Sequence, residues 1–313
     1  MALTIIKALK KEPSIKLMVH KKLAGYEKAR DDGEVHASDL MKELEFCPRE
    51  WALRKQAGIK PKDQFIGTAM RITFTHGRDM EYRMRNEWLR EHMVGRWECN
   101  VCGHEHTVFG KAPKISCPKC GKNRWEYKET NFKSPTSGVT GGIDAIVDVG
   151  AEKHRILEIK SIDKDQFKEL VAPLAEHKLR TTLYLRLAHE SHLDESNKVN
   201  TQEAHILYVS KSFGFKDDSM KVAGISDAPF SPFKEYVVKR DDALVETYVQ
   251  KAIVVKAFID TPQVGMPCGV CSSGLEKRAQ ACSVLKQCWN GTSPSQITWM
   301  EKGKPKHLGK KLL

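Results

Sequence analysis

Asp144, Glu158 and Lys160 are the residues of this chain whose types and spacing point most directly to a reaction. They lie within Val139 to Ser161, VTGGIDAIVDVGAEKHRILEIKS, where two runs of period-two alternation flank a short glycine-led turn. In the first run Ile143, Ala145, Val147 and Val149 are expected on one face, and Asp144, Ile146 and Asp148 on the other. In the second, Arg155, Leu157 and Ile159 share a face, opposite Ile156, Glu158 and Lys160. A hairpin turning about Ala151 sets Asp144 across from Glu158, with Cβ atoms about 5 Å apart. Two carboxylates at that distance can hold one cation, and Lys160 projects from the same face. A one-residue slip would carry Glu158 and Lys160 to the wrong side, so the expectation is tied to this register. Such a group suits metal-assisted hydrolysis of a phosphodiester. Mg²⁺ or Mn²⁺ lowers the pKa of a bound water, and the ammonium orients it or offsets charge developing in the transition state. The same three residue types also meet by chance on exposed strands, so the surroundings decide.

The nine cysteines sort as one, four and four. Cys99-x-x-Cys102 and Cys117-x-x-Cys120 have the spacing of a zinc ribbon, and each knuckle is followed directly by glycine, Gly103 and Gly121. The second set is Cys268, Cys271, Cys282 and Cys288, with Cys47 left over near the N-terminus. Thiolates accept zinc or iron alike. Residue types alone therefore allow a second zinc site in the C-terminal four, with Cys47 buried as a small apolar residue.

The pattern Gly-Gly-Ile-Asp followed by Leu-Glu-Ile-Lys resembles the PD-(D/E)XK nuclease superfamily, and within it the RecB-type branch. Thr75-His76-Gly77-Arg78 with Glu81 is similar to that branch's histidine motif, which implies His76 as a metal ligand beside Asp144 and Glu158. His177 to Leu187, HKLRTTLYLRL, is similar to its Gln-x-x-x-Tyr helix, with Tyr184 in the tyrosine place. Arg180 stands where the branch has glutamine, and an arginine there can contact a phosphate. The segment HASDLMKELEFCPREWALRK resembles the N-terminal cysteine segment of the iron–sulfur members, such as the CRISPR-adaptation and AddB nucleases. In those, one cysteine before the core joins three after it around a [4Fe–4S] cluster. Carried over, Cys47, Cys271, Cys282 and Cys288 hold the cluster, with Cys268 as the alternative ligand.

The resemblance implies an α/β restriction-endonuclease-like core, a central mixed sheet flanked by helices, with an inserted zinc ribbon and an iron–sulfur staple. It implies a Mg²⁺- or Mn²⁺-dependent deoxyribonuclease, an exonuclease on single strands or DNA ends, serving recombination, repair or replication beside a helicase, recombinase or polymerase. The modest length and lack of a phosphate-binding loop fit a stand-alone enzyme of the kind phages carry. The rival is a non-catalytic nucleic-acid-binding or assembly protein that keeps the fold and metals. Arg180 favours the rival, and the intact Asp144, Glu158 and Lys160 oppose it. A cysteine-based radical enzyme would want a Cys-x3-Cys-x2-Cys spacing that is missing.

Along the chain, residues 1–95 read as an N-terminal helical region carrying Cys47 and the His76 motif, with an amphipathic stretch through Leu17, Leu23 and Tyr26. Ser38 or Asp39 is the expected N-cap of the helix leading to Cys47. Residues 96–130 read as the inserted ribbon, where Trp97 and Trp125 either stack on bases among Lys111, Lys114, Lys119, Lys122 and Arg124 or fill a small core. Residues 131–262 read as the nuclease core. It takes in a helical stretch from Lys164 to Ala188 broken near Pro173, strands at Glu203 to Ser210 and Tyr236 to Lys239, and a helix from Asp241 to Ile259. Residues 263–313, beyond Pro262, hold the last cysteines and a basic tail. A formal net charge of +12 suits a polyanionic partner. No run of eighteen apolar residues exists to span a membrane, and the N-terminus has no apolar signal core. Nine cysteines without a secretory signal fit a reducing cytoplasm, prokaryotic or that of a phage-infected host.

Overall fold

The computed structural model describes residues 18–20, 23, 35–41, 47–58, 67–193, 197–211, 232–260, 271 and 274–289. Cys268, Pro262, the basic tail and most of the stretch from Leu17 to Tyr26 lie outside them.

Strand β7 (His154–Ile162) organises the sheet. Its sequence HRILEIKSI is rich in β-branched residues and buried along most of its length. It pairs antiparallel with β6 (Ala145–Val147) and parallel with β8 (Val199–Ser210), and β8 pairs antiparallel with β9 (Phe233–Lys239). The sheet is therefore mixed, with strand order β6-β7-β8-β9. The parallel β7–β8 connection needs a crossover, which α4 (Lys164–Glu169) and α5 (Ala175–Glu190) supply. Residues 170–174, around Pro173, separate the two helices, as expected from the sequence.

One face of the sheet packs on helices. Ile146, Ile156, Val199 and Ala204 meet Leu183, Leu185 and Leu187 of α5 and Val245, Val249 and Val255 of α6 (Asp242–Asp260). Val35, Ala37 and Leu40 around the short α1 (Ala37–Leu40) join the same core. The cap of α1 is His36 rather than Ser38 or Asp39, because the Asp39 carboxylate accepts the His36 N–H at 3.2 Å. Cys47 does not end that helix: it is the N-cap of α2 (Pro48–Ala57), with Pro48 at the first helical position.

The opposite face packs on the ribbon, built from β1 (Gly95–Cys99), β2 (Glu105–Gly110) and β3 (Trp125–Lys128) in the order β2-β1-β3. Trp97, Trp125 and Tyr127 form one cluster with Ala145, Val147, Leu157, Ile159 and Val209 of the sheet. The ribbon thus shares its core with the sheet. Trp97 and Trp125 are 1% and 2% exposed and donate their indole N–H groups to Gly110 O and Ile115 O, so they fill the core and offer no face to a base.

After β3, the chain makes β4 (Thr130–Lys133), paired with β5 (Thr140–Ile143) in a separate two-stranded ladder. The run expected as one strand from Ile143 to Val149 is in fact broken by a bend at Asp144. Ile143 consequently sides with Ile146 and Ile156 instead of with Ala145 and Val147, and Val149 is exposed. Helix α3 (Thr68–Arg83) lies against β7 and continues into a π-helical turn, Met84–Trp88.

Candidate active site and two cysteine centres

The β6–β7 register runs Ala145↔Leu157, Ile146↔Ile156 and Val147↔Arg155, so the next step outward sets Asp144 beside Glu158. This is the register that a turn about Ala151 predicts. The bend aims the Asp144 carboxylate back at the strand, where Oδ2 accepts the Ile159 N–H at 2.9 Å. Lys160 Nζ stands between the two acids, 3.2 Å from Asp144 Oδ2 and 2.6 Å from Glu158 Oε1. It also donates to Ile159 O at 2.9 Å.

Two residues of α5 complete that side. Arg180 Nη2 lies 3.3 Å from Glu158 Oε1, so this arginine binds the acid directly. Tyr184 is buried, edge-on to Phe132 at 6.0 Å, and its hydroxyl is held above its ordinary pKa by burial and by the Glu158 carboxylate. His177 Nδ1 shares a hydrogen bond with the Tyr208 hydroxyl at 2.9 Å. Burial, then Lys160 and Arg180, push His177 down to about 4, so it is neutral.

A second carboxylate group meets Asp144 from the other side. One oxygen each of Glu81, Glu129 and Asp144 lie within 4.8 Å of one another. Glu81 comes from α3 and Glu129 from the single residue between β3 and β4. Arg85, in the π-helical turn, holds this arrangement by donating to Glu129 Oε1 at 3.2 Å and to Asp144 O at 3.1 Å. His76 is exposed on α3 and is not among these ligand atoms. Gly77 is the residue that faces the strand, since a Cβ there would lie 3.4 Å from Ser161 Oγ. Glu81, one turn further, shares that face. The sequence offered Glu81 only as part of the motif around His76.

The electrostatics are those of a site short of positive charge. Burial and the Asp144 carboxylate raise Glu158 to about 7, and the same two causes raise Glu81 to about 7. Burial works against charge on Asp144, but Lys160 and the Ile159 N–H hold it below its usual range. Glu158 is 2% exposed, and its Oε2 accepts no hydrogen bond among the described residues. A buried carboxylate oxygen without a donor is what a divalent cation would satisfy.

The ribbon cysteines fit zinc. Cys99 and Cys120 Sγ are 3.5 Å apart, Cys102 and Cys117 Sγ 3.6 Å, and all four sulfurs lie within 4.8 Å of one another. A tetrahedral centre with Zn–S of ~2.3 Å spaces its sulfurs ~3.8 Å apart. The two knuckles repeat one geometry: Gly103 N–H donates to Cys99 O and Gly121 N–H to Cys117 O, with φ of 69° and 71° that glycine adopts without strain.

The second set surrounds a small pocket lined by Cys47, Cys271, Cys282 and Cys288, with Arg278 and Trp289. Cys47 Sγ accepts the Glu50 N–H, while Arg49 Nη2 donates to Cys288 O and Ser283 Oγ to Glu50 Oε1, so α2 is tied to the C-terminal segment.

No family model and no curated protein matches the chain. Among solved structures, LHK-Exo in complex with dAMP is similar over 74% of this chain and 89% of its own, at 14% identity and a TM-score of 0.41. The alkaline exonuclease LHK-Exo from Laribacter hongkongensis is similar over 79% and 93%, at 14% identity and a TM-score of 0.39. The protein SSO0001 is similar over 90% and 97%, at 15% identity and a TM-score of 0.32. Among the described residues no helix is long and apolar enough to cross a membrane.

Proposed function

We propose that this protein is a divalent-metal-dependent nuclease that hydrolyses phosphodiester bonds in DNA. The observation that carries the reading is the Asp144–Lys160–Glu158 group: the buried Glu158 of β7 and the half-buried Asp144 at the bend before β6, bridged by one ammonium, with a Glu158 oxygen that has no donor among the described residues. Asp144 and Glu158 would hold Mg²⁺ or Mn²⁺, and Glu81 and Glu129 extend the acidic wall around Asp144. The ion, when bound, supplies a water of lowered pKa and charge stabilisation at the phosphorus. Lys160, within reach of both acids, would orient that water or meet charge developing on the phosphate. Arg180 favours the ionised form of Glu158 and holds the carboxylate in place. His177 stays neutral beside these cations, and Tyr184 keeps its proton as a hydrogen-bond donor.

In this reading Cys99, Cys102, Cys117 and Cys120 hold zinc, and Cys47, Cys271, Cys282 and Cys288 hold a [4Fe–4S] cluster that staples α2 to the C-terminal segment. DNA ends or single strands are the proposed substrate, which suits the net charge of +12. The test is degradation of end-labelled single- and double-stranded DNA with and without Mn²⁺. Retention of both labels with wild-type protein and Mn²⁺ would sink the proposal.

A further inference from the structure

Glu129 reaches Asp144 by a route that begins at the cysteine ribbon. In β3, Trp125 pairs with Cys99 and Tyr127 with Trp97, so the strand is registered directly on a thiolate-bearing strand. Glu129 follows β3 immediately, and Thr130 then pairs with Ile143 in the next ladder. One register step beyond that pair sets Glu129 beside Asp144, on the side opposite Glu158. The last strand of the ribbon and the first wall of the acidic site are thus one continuous piece of backbone.

Three contacts make the connection stiff. The Tyr127 hydroxyl donates to Val94 O at 3.3 Å and accepts the Ile146 N–H at 3.0 Å, which pins β3 two residues past Asp144. Asn86 Oδ1 accepts the Tyr127 N–H at 2.7 Å, and its neighbour Arg85 binds both Glu129 and Asp144 O. Cys99 and Cys117 share the apolar cluster of Ala145, Val147, Leu157 and Ile159, the residues that alternate with Asp144 and Glu158 along their strands. Loss of the thiolate centre therefore has no boundary at which to stop before the acids. The acids are more than a surface cluster, since Asp144 also shares Lys160 with Glu158, whose buried Oε2 has no donor among the described residues.

We infer that Glu129 is a cation ligand of the acidic site and that metal occupancy of the ribbon sets the affinity of that site through Tyr127 and Glu129. The inference rests on reading the thiolates as a zinc centre and the acids as a divalent-cation centre, and is independent of whether DNA is cleaved.

The experiment uses the full-length protein, with zinc measured by metal analysis and Mn²⁺ affinity by titration without DNA. Glu129→Gln should keep its zinc and bind Mn²⁺ about tenfold more weakly or worse. Tyr127→Phe should also keep zinc and weaken Mn²⁺, yet add little in the Glu129→Gln background, because both act through one residue. Cys117→Ser should lose zinc and weaken Mn²⁺ comparably. Wild-type Mn²⁺ affinity in Glu129→Gln or Tyr127→Phe, or in a folded, zinc-free Cys117→Ser, overturns the inference, as does wild-type protein that carries no zinc or binds no Mn²⁺. Should Cys117→Ser fail to fold, Tyr127→Phe decides. Affinities that shift as expected in a protein that leaves DNA intact uphold the coupling while removing the nuclease reading.

Discussion

Glu158 faces Asp144 across the β6–β7 hairpin, and the Lys160 ammonium lies 2.6 Å from one and 3.2 Å from the other. The lysine is 15% exposed and Glu158 2%, so this is a charge group removed from water and sensitive to every proton or ion that enters it.

The first prediction is a pH dependence that inverts on adding metal. Burial and Asp144 raise both Glu158 and Glu81 from 4.5 to about 7. A carboxyl with a raised folded pKa contributes stability that is present below its unfolded value and lost as pH rises through the folded one. Ion-free protein should therefore lose that contribution between about pH 4.5 and about pH 7. A cation needs the deprotonated forms, so Mn²⁺ affinity should climb across the same window and release protons as it binds. Melting temperatures with and without Mn²⁺ across the window check both signs. Mn²⁺ binding that is flat with pH counts against the two glutamates.

Arg180→Gln is predicted to move this window upward. Arg180 is one of the two cations on Glu158, and its loss leaves burial and Asp144 less opposed. The pH at which Mn²⁺ binding reaches half its limit should rise by about one unit. An unmoved profile with intact folding would mean that Arg180 does not govern the charge on Glu158.

Legibility followed the locality of the signal. The Asp144–Glu158–Lys160 register could be read because a period-two pattern and one glycine-led turn fix it within a single stretch. The meeting of Cys99, Cys102, Cys117 and Cys120 could be read because each pair is followed by a glycine that turns the chain back on its first cysteine. Glu129 was hidden because it meets Asp144 through a second ladder whose partner strand precedes the hairpin, and no local periodicity records that pairing. The bend at Asp144 was hidden for the same reason: the chain changes partners there, from β4 to β7, while its alternation reads as continuous. The helix that carries the His76 motif turns Gly77 and Glu81 toward the strand and leaves His76 exposed.

If the proposed cluster fills the cysteine pocket, the protein should be coloured and helix α2 should depend on iron. Cys47 and Cys271 are more than two hundred residues apart, and apart from the cysteines the ties between α2 and the C-terminal segment include the Arg49–Cys288 and Ser283–Glu50 hydrogen bonds. A cross-link closing a loop of that size contributes on the order of 5 kcal/mol by the chain-entropy argument. Anaerobically purified protein should be brown, and Cys47→Ala should bleach it, lower the melting temperature and speed hydrogen exchange in residues 48–57. Colourless wild-type protein containing two zinc ions and no iron would favour a second zinc site instead.

Lys160→Ala separates binding from chemistry. Removing the ammonium leaves Asp144 and Glu158 facing each other in a buried site, so the ion-free variant should be destabilised by several kcal/mol, about 3–5 for a broken buried pair. Added Mn²⁺ replaces the missing charge and should restore much of that loss, which makes the variant's melting temperature more responsive to Mn²⁺ than that of the wild type. Its Mn²⁺ affinity should be equal or higher, since the cation no longer competes with an ammonium for the same oxygens. Cleavage should nevertheless fall by about a hundredfold or more under single-turnover conditions, because the lysine's charge matters most as the phosphate becomes more anionic in the transition state. DNA affinity should change little, as the remaining basic residues still meet the backbone. A Lys160→Ala protein that binds Mn²⁺ normally and cleaves at the wild-type rate would restrict the lysine to a structural counter-ion and leave the chemistry to the acids alone.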